Sequence, residues 1–174
     1  MAITENMYYG TLDEANEYFE NRLHEEAWSG SHPLDRPKAL LRATQCIDAL
    51  NYKGNKHSVW ELLEEDSDAT DEAIREAEAE QLLEFPRGAD TEAPQSIMIA
   101  CYECAHALLD GVDPDAELEQ LSVVSQGVAS VRTTYSRNQQ PIEHLLHGIP
   151  SATAWRYLKP FLRDGDKIRM SRVT

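Results

Sequence analysis

Basic residues are scarce in this sequence of 174 amino acids: 16 lysines and arginines stand against 31 aspartates and glutamates, a formal net charge of −15 at pH 7. So acidic a chain repels phosphates over most of its surface, which disfavours general nucleic-acid binding by its body. Cysteine is scarce as well. Cys46, Cys101 and Cys104 are odd in number and each lies in an apolar helical pattern, which favours reduced, packed thiols over a disulfide framework. No apolar run approaches the roughly 20 residues of a membrane span, and the opening stretch MAITENMYYG has no signal-peptide core, so a protein made in the cytoplasm and independent of membranes is expected. A P-loop, a dinucleotide glycine fingerprint and a G-x-S-x-G elbow are all missing. Ser130, Ser136 and Ser151 have no convincing His/Asp constellation, so neither an enzyme nor a cofactor is expected.

What is present is helical periodicity, strongest from Pro94 to Gly111. Ile97, Ala100, Cys101, Cys104, Ala105, Leu108 and Leu109 recur at i, i+3, i+4 spacing, and Met98 and Tyr102 widen the face. Only Glu103, His106 and Asp110 remain as a polar stripe. Such a helix must be covered on most sides, which makes it the hub of a helical core. Pro94 suits its first turn and Gly111 its left-handed C-terminal position.

Around this hub the chain punctuates itself. Thr11 and Glu14 form a capping box opening a helix over about 12–24, and Asp35 with Pro37 starts a second one whose apolar line ends near Leu50. Ser58 and Glu61 predict a short helix, and Thr70 opens a further one through DEAIREAEAEQLL. Residues 58–83 therefore read as a peripheral acidic helical insert. The β-branched stretch 121–135 predicts a β-hairpin turning at Ser125-Gln126-Gly127. Short helices follow from Pro141 and Pro150, and from Lys159 onward an extended arm is expected. The fold class is thus mainly α: a small helical bundle around 94–110 with one hairpin, forming one domain over 1–158 and an extended arm over 159–174.

The charge is uneven. Residues 61–92 hold 13 acidic residues against Arg75 and Arg87, whereas 156–174 hold Arg156, Lys159, Arg163, Lys167, Arg169 and Arg172 against Asp164 and Asp166. Phe161, Leu162, Ile168, Met170 and Val173 interleave those bases, a pattern suited to a peptide laid into a partner's groove. Metal readings are weak. Cys101-x-x-Cys104 lies mid-helix on the apolar face, His144-x-x-His147 lacks matching carboxylates, and the acidic run 61–80 lacks the alternating ligands of a calcium loop. Val131-Arg132-Thr133-Thr134-Tyr135-Ser136-Arg137 mixes bases with an aromatic as single-strand platforms do, but a hairpin whose Tyr packs and whose Arg answers the acidic body is the preferred reading.

Several stretches carry a resemblance in order: Tyr9-Gly10-Thr11-Leu12, Phe85-Pro86-Arg87-Gly88, 107–114 (ALLDGVDP), 130–135 (SVRTTY), 149–152 (IPSA) and 154–160 (AWRYLKP). Together they resemble a family of tailed-phage proteins labelled DnaT-like single-stranded-DNA-binding proteins, which in turn looks like the head–tail connector (adaptor, head-completion) proteins of bacteriophages. The resemblance implies a virion protein of the neck, made in the host cytoplasm. It would form a dodecameric ring on the portal protein, between neighbouring copies and tail or neck proteins, with genomic DNA passing through unbound. On that reading Lys159, Phe161, Leu162, Arg163, Lys167, Ile168, Arg169, Met170, Arg172 and Val173 would dock on the portal. Ser125, Gln126, Val128, Arg132 and Tyr135 would meet neighbouring subunits or the tail. The alternative is a single-stranded-DNA-binding replication accessory protein.

Overall fold

The structure, a computed structural model, describes residues 7–122, 125–128, 131–134 and 142–163. Among these, nine α-helices build the fold. Helix α6 (Gln95–Leu109) is the hub, and Ile97, Ala100, Cys101, Cys104 and Ala105 on it are fully buried. Pro94 caps its N-terminus, and its C-terminus closes in a Schellman motif. Gly111 takes φ 86° and donates to the Leu108 carbonyl at 3.1 Å, while Val112 donates to the Ala107 carbonyl at 3.0 Å.

Helix α3 (Asp35–Asp48) and helix α9 (Ala152–Leu158) supply the main packing against α6. Leu40, Ala43 and Ile47 meet it from α3, and Ala154 and Leu158 from α9, all with no exposed surface. Burial of each such Leu or Ile contributes about 1.5–3 kcal/mol. Helix α1 (Leu12–Glu20) starts at the expected capping box, with Glu14 N–H donating to Thr11 Oγ1 at 3.2 Å and Thr11 N–H to Glu14 Oε2 at 2.8 Å. It stops at Glu20 rather than near residue 24, because His24 turns to φ 57° and the Arg22 guanidinium donates to the Leu23 and His24 carbonyls. The short α2 (Glu26–Ser29) then stacks Trp28 on Phe19 at 4.6 Å.

Helices α4 (His57–Glu65) and α5 (Asp71–Glu80) pack on each other at the periphery, with Val59 the one buried residue between them. Thr70 caps α5 as expected, accepting from Ala73 N–H at 3.3 Å. Ser58 does not cap α4: that helix begins at His57, and the Ser58 hydroxyl instead donates to the Ala77 carbonyl of α5 at 2.6 Å. No helix among the described residues is long and apolar enough to cross a membrane.

The expected fold class needs correction. The hairpin predicted over 121–135 with its turn at Ser125-Gln126-Gly127 is not the arrangement found. The first two residues of that window finish an unpredicted helix, α7 (Pro114–Ser122), which opens at Asp113-Pro114 with the Asp113 carboxylate accepting from Asp115 N–H at 3.1 Å. The expected turn residues Ser125–Gly127 lie instead inside a four-residue extended segment, β1 (Ser125–Val128), paired with β2 (Val131–Thr134) in the register Ser125 to Thr134 and Gly127 to Arg132. The core of described side chains comes from helices and their connecting loops. The start of the expected arm is corrected too. After α8 (Glu143–Leu146) and α9, residues Lys159–Phe161 form a 3₁₀ turn, Leu162 bridges to Tyr52, and Phe161 and Leu162 pack against the core. Residues 164–174 lie outside the described residues.

Candidate nucleic-acid interface

Where an acidic protein could meet phosphate is a question of which cations remain uncommitted. Two are spent on structure at the junction of the loops 50–56 and 81–88. The Arg87 guanidinium donates to the Lys53 carbonyl at 3.0 Å, to the Gly54 carbonyl, and to Glu84 Oε2 at 2.6 Å, and it lies over the Tyr52 ring at 5.8 Å. The Lys56 ammonium donates to the Gln81 carbonyl at 3.0 Å and sits 3.4 Å from Glu84 Oε1. Arg87 and Lys56 are therefore staples between the two loops, and Glu84 neutralises both.

A half-buried carboxyl anchors the same junction. Asp48, at the end of α3, accepts from the Tyr9 hydroxyl and from Glu84 N–H at 3.4 Å, while the Tyr9 oxygen accepts from Phe85 N–H at 3.2 Å. Burial pushes the Asp48 carboxyl up to about 6, against the opposing pull of those hydrogen bonds. The Tyr9 phenol is pushed well above its usual range, first by burial and then by Asp48.

Other bases are committed elsewhere. Arg22 forms a bidentate pair with Glu103 on α6 at 2.7 and 3.0 Å, and the Tyr18 hydroxyl donates to the same carboxylate at 2.7 Å. Glu103 is only 3% exposed, so of the polar stripe expected along the hub this member is internal, while His106 is half-buried and Asp110 exposed. Burial would raise its carboxyl, but the hydrogen bonds from Arg22 and Tyr18 outweigh that and hold it below the usual range. A cleft beside this network, lined by Tyr18, Arg22, Met98, Ile99 and Tyr102, thus offers no spare cation.

One edge differs. The chain returns from α9 alongside the loop after α3: Lys53 N–H donates to the Phe161 carbonyl at 2.9 Å, Arg163 N–H to the Asn51 carbonyl at 3.0 Å, and the Lys53 ammonium to the Pro160 carbonyl at 3.2 Å. This pairing sets Lys53 beside the exposed residues Arg156, Lys159 and Arg163. Arg156 and Lys159 stand one helical turn apart at i, i+3. Lys53, Arg156 and Arg163 have no ion-pair partner among the described residues. Lys159 pairs with Glu143 at 2.8 Å, but both side chains are more than half exposed, so solvent screens the pair and it yields readily to a stronger anion. Tyr157 lies on the same edge at 37% exposure.

Of the residues expected to dock on a partner, Lys159 and Arg163 belong to this edge and Phe161 and Leu162 to the core behind it. Lys167, Ile168, Arg169, Met170, Arg172 and Val173 lie outside the described residues. Ser125, Gln126, Val128 and Arg132 fall in β1 and β2, far along the chain from the edge, and Tyr135 lies outside the described residues. Lys53, Arg156 and Tyr157 were not singled out as site residues by sequence. The signal for Arg156 was its place in the basic 156–174 stretch, whereas Lys53 reaches the edge only through tertiary pairing. The thiols of Cys101 and Cys104 are fully buried, with burial pushing Cys101 up to about 12, and Cys101 Sγ packs 3.4 Å from Thr44 Oγ1. No group of three metal-ligating side chains exists among the described residues.

Fold and edge together define a small helical protein, acidic over its bulk, with one basic, partly aromatic margin. The chain belongs to the family described as "Putative DnaT-like ssDNA binding protein", whose model matches residues 6–173. No curated protein and no solved structure matches it. The family assignment corrects the connector expectation: the matching family is described by single-stranded DNA, not by a head–tail connector role. The expected portal partner and virion location came with that second resemblance, and the family description bears on neither.

Proposed function

We propose that the protein is a single-stranded-DNA-binding accessory protein of replication, engaging the sugar–phosphate backbone through Lys53, Arg156, Lys159 and Arg163. The observation carrying this reading is the convergence of these four exposed cations on one edge of a protein whose other bases are largely engaged by its own carboxylates and carbonyls. The family description supports it independently. The protein acts on this reading by holding a strand, with no reaction and no cofactor.

Four neutralised phosphates on a single strand give a log–log salt slope of about −3, so affinity falls roughly 50-fold between 50 and 200 mM salt. Fluorescence anisotropy with a labelled oligothymidine across that range tests this. The expected result is binding at low salt with that slope, lost when Lys53 and Arg163 are both changed to Glu. Absence of binding at 50 mM salt, or a slope near zero, would refute the proposal.

A further inference from the structure

Four cations explain attraction to phosphate but not a preference for a single strand, since a duplex presents phosphates at higher density. What a single strand alone offers is the open face of its bases. Among the described residues Tyr157, at 37%, is the most exposed Phe, Tyr or Trp, while Tyr18, Trp60 and Phe161 are half-buried. Tyr9, Phe19, Trp28, Tyr52, Phe85, Tyr102 and Trp155 are each 6% exposed or less and serve the core.

Its position is what gives that exposure meaning. Helix α9 buries Ala154, Trp155 and Leu158, which turns Arg156 and Tyr157 outward together. Tyr157 and Pro160 are one turn apart, at i, i+3, and Pro160 holds the Lys53 ammonium on its carbonyl at 3.2 Å. The exposed ring therefore follows Arg156 on its own helix and stands one turn before the Pro160 carbonyl that Lys53 engages. Successive phosphates on a strand flank each base, so cations on either side of an aromatic ring match that repeat. An aromatic exposed by chance has no reason to fall on the stretch where several exposed cations lie close together along the chain.

Resting on the single-strand reading above, we infer that Tyr157 is the base-stacking residue of the edge and the determinant of its selectivity for single-stranded over duplex DNA. The ring stacks on one base while Lys53 and Arg156 hold the adjoining phosphates. Stacking needs the ring and not the hydroxyl, and it adds no counterion release, which separates its effect from that of the cations.

The test compares wild type, Tyr157→Ala and Tyr157→Phe on an oligothymidine, on an abasic oligomer of the same length and on a duplex, by anisotropy over a salt series. Tyr157→Ala is expected to weaken oligothymidine binding about tenfold with the salt slope unchanged, and to leave duplex binding unaltered. Tyr157→Phe should bind as wild type does. Wild type itself should bind the abasic strand about tenfold more weakly than oligothymidine, a measurement that holds even if Tyr157→Ala proves poorly folded. Equal wild-type affinity for the abasic strand and oligothymidine, or full affinity in Tyr157→Ala, overturns the stacking role while leaving the phosphate contacts standing. A wild-type protein that binds none of the three ligands overturns both readings.

Discussion

Gly10 sits at the hinge between the first buried tyrosines and α1, and replacing it with Ala should be among the most costly single methyl additions in the protein. Two effects act there. The backbone takes φ 74°, a left-handed conformation that costs an L-residue about 1–2 kcal/mol. A Cβ at this position would also lie 2.0 Å from the Tyr102 hydroxyl oxygen and 2.8 Å from Cζ of the same ring. Tyr102 cannot simply swing away, because it is 4% exposed and its ring is tilted against Tyr18 at 5.6 Å. Overpacking of this kind costs a further 1–3 kcal/mol or so, giving about 2–5 kcal/mol in total. Gly54 supplies the control: its φ is 72°, yet a Cβ there would meet nothing within 4 Å. Gly54→Ala should therefore show the backbone effect alone, about 1–2 kcal/mol, and the loss of unfolded-state freedom common to both substitutions cancels in the comparison. Urea denaturation read at constant m-value gives both numbers. Adding Tyr102→Phe to Gly10→Ala removes the 2.0 Å contact but not the ring, so part of the excess should return. If Gly10→Ala costs no more than Gly54→Ala, the close approach of Gly10 to Tyr102 is not what fixes this corner.

Asp48 is raised to about 6 by burial, so the folded protein holds this proton more tightly than the unfolded chain does. Its contribution to stability is therefore fully present below the unfolded carboxyl range near 4 and is lost as pH rises through about 6. Asp48→Asn should remove this loss and leave the variant more stable than wild type at pH 7, by about 1 kcal/mol once its partial solvent exposure is discounted; equal stability of the two at pH 4.5 and pH 7 would refute the assignment. Glu103→Ala leaves the Arg22 guanidinium without its carboxylate in a mostly buried setting and should cost about 3 kcal/mol in thermal or urea unfolding. Glu103→Gln, which keeps an acceptor for Tyr18, should cost less, and the reverse order would contradict the network.

The hub helix was legible because its information is local: apolar residues on the helical period, a proline before them and Gly111 after them. The fate of Glu103 was not, because its counter-charge, Arg22, stands 81 residues earlier in the chain and only folding brings them together. A polar residue on an apolar helix reads as a solvent stripe unless its distant partner is known. Helix α7 was missed for a different reason. The β-branched residues following Leu121 carried the strand reading backward over it, although Asp113-Pro114 is a helix-start signal in its own right. The capping boxes divide likewise: Thr11 and Thr70 have no competing partner and cap as expected, whereas the Ser58 hydroxyl finds the Ala77 carbonyl across the α4–α5 pair. At the candidate interface, the basic stretch was visible as composition, but its start was read as a free arm. The core contacts of Phe161 and Leu162 and the pairing of 161–163 with 51–53 instead fasten that start to the body.

A net charge of −15 and a phosphate-binding edge are compatible because charge acts locally at working ionic strength. The Debye length is about 8 Å at 0.15 M salt, so a phosphate lying on Lys53 or Arg163 responds to its near neighbours far more than to the protein's total. The acidic surplus is itself segregated: 13 of the 31 acidic residues lie within 61–92, on α4, α5 and the loop that follows. Two carboxylates of that region, Glu78 and Glu84, line a cleft with Arg163, and Lys56 and Arg87 cancel Glu84 at 3.4 and 2.6 Å. Those two cations look at first like the core of a binding site, since Lys56, Arg87 and Arg163 line one cleft. Their hydrogen bonds assign them a different task. By fixing Glu84 and the 50–56 loop, they keep a negative charge from facing the strand and hold Lys53 where α9 and the 3₁₀ turn present their own cations. The interface on this account depends as much on the bases that never touch DNA as on the four that do.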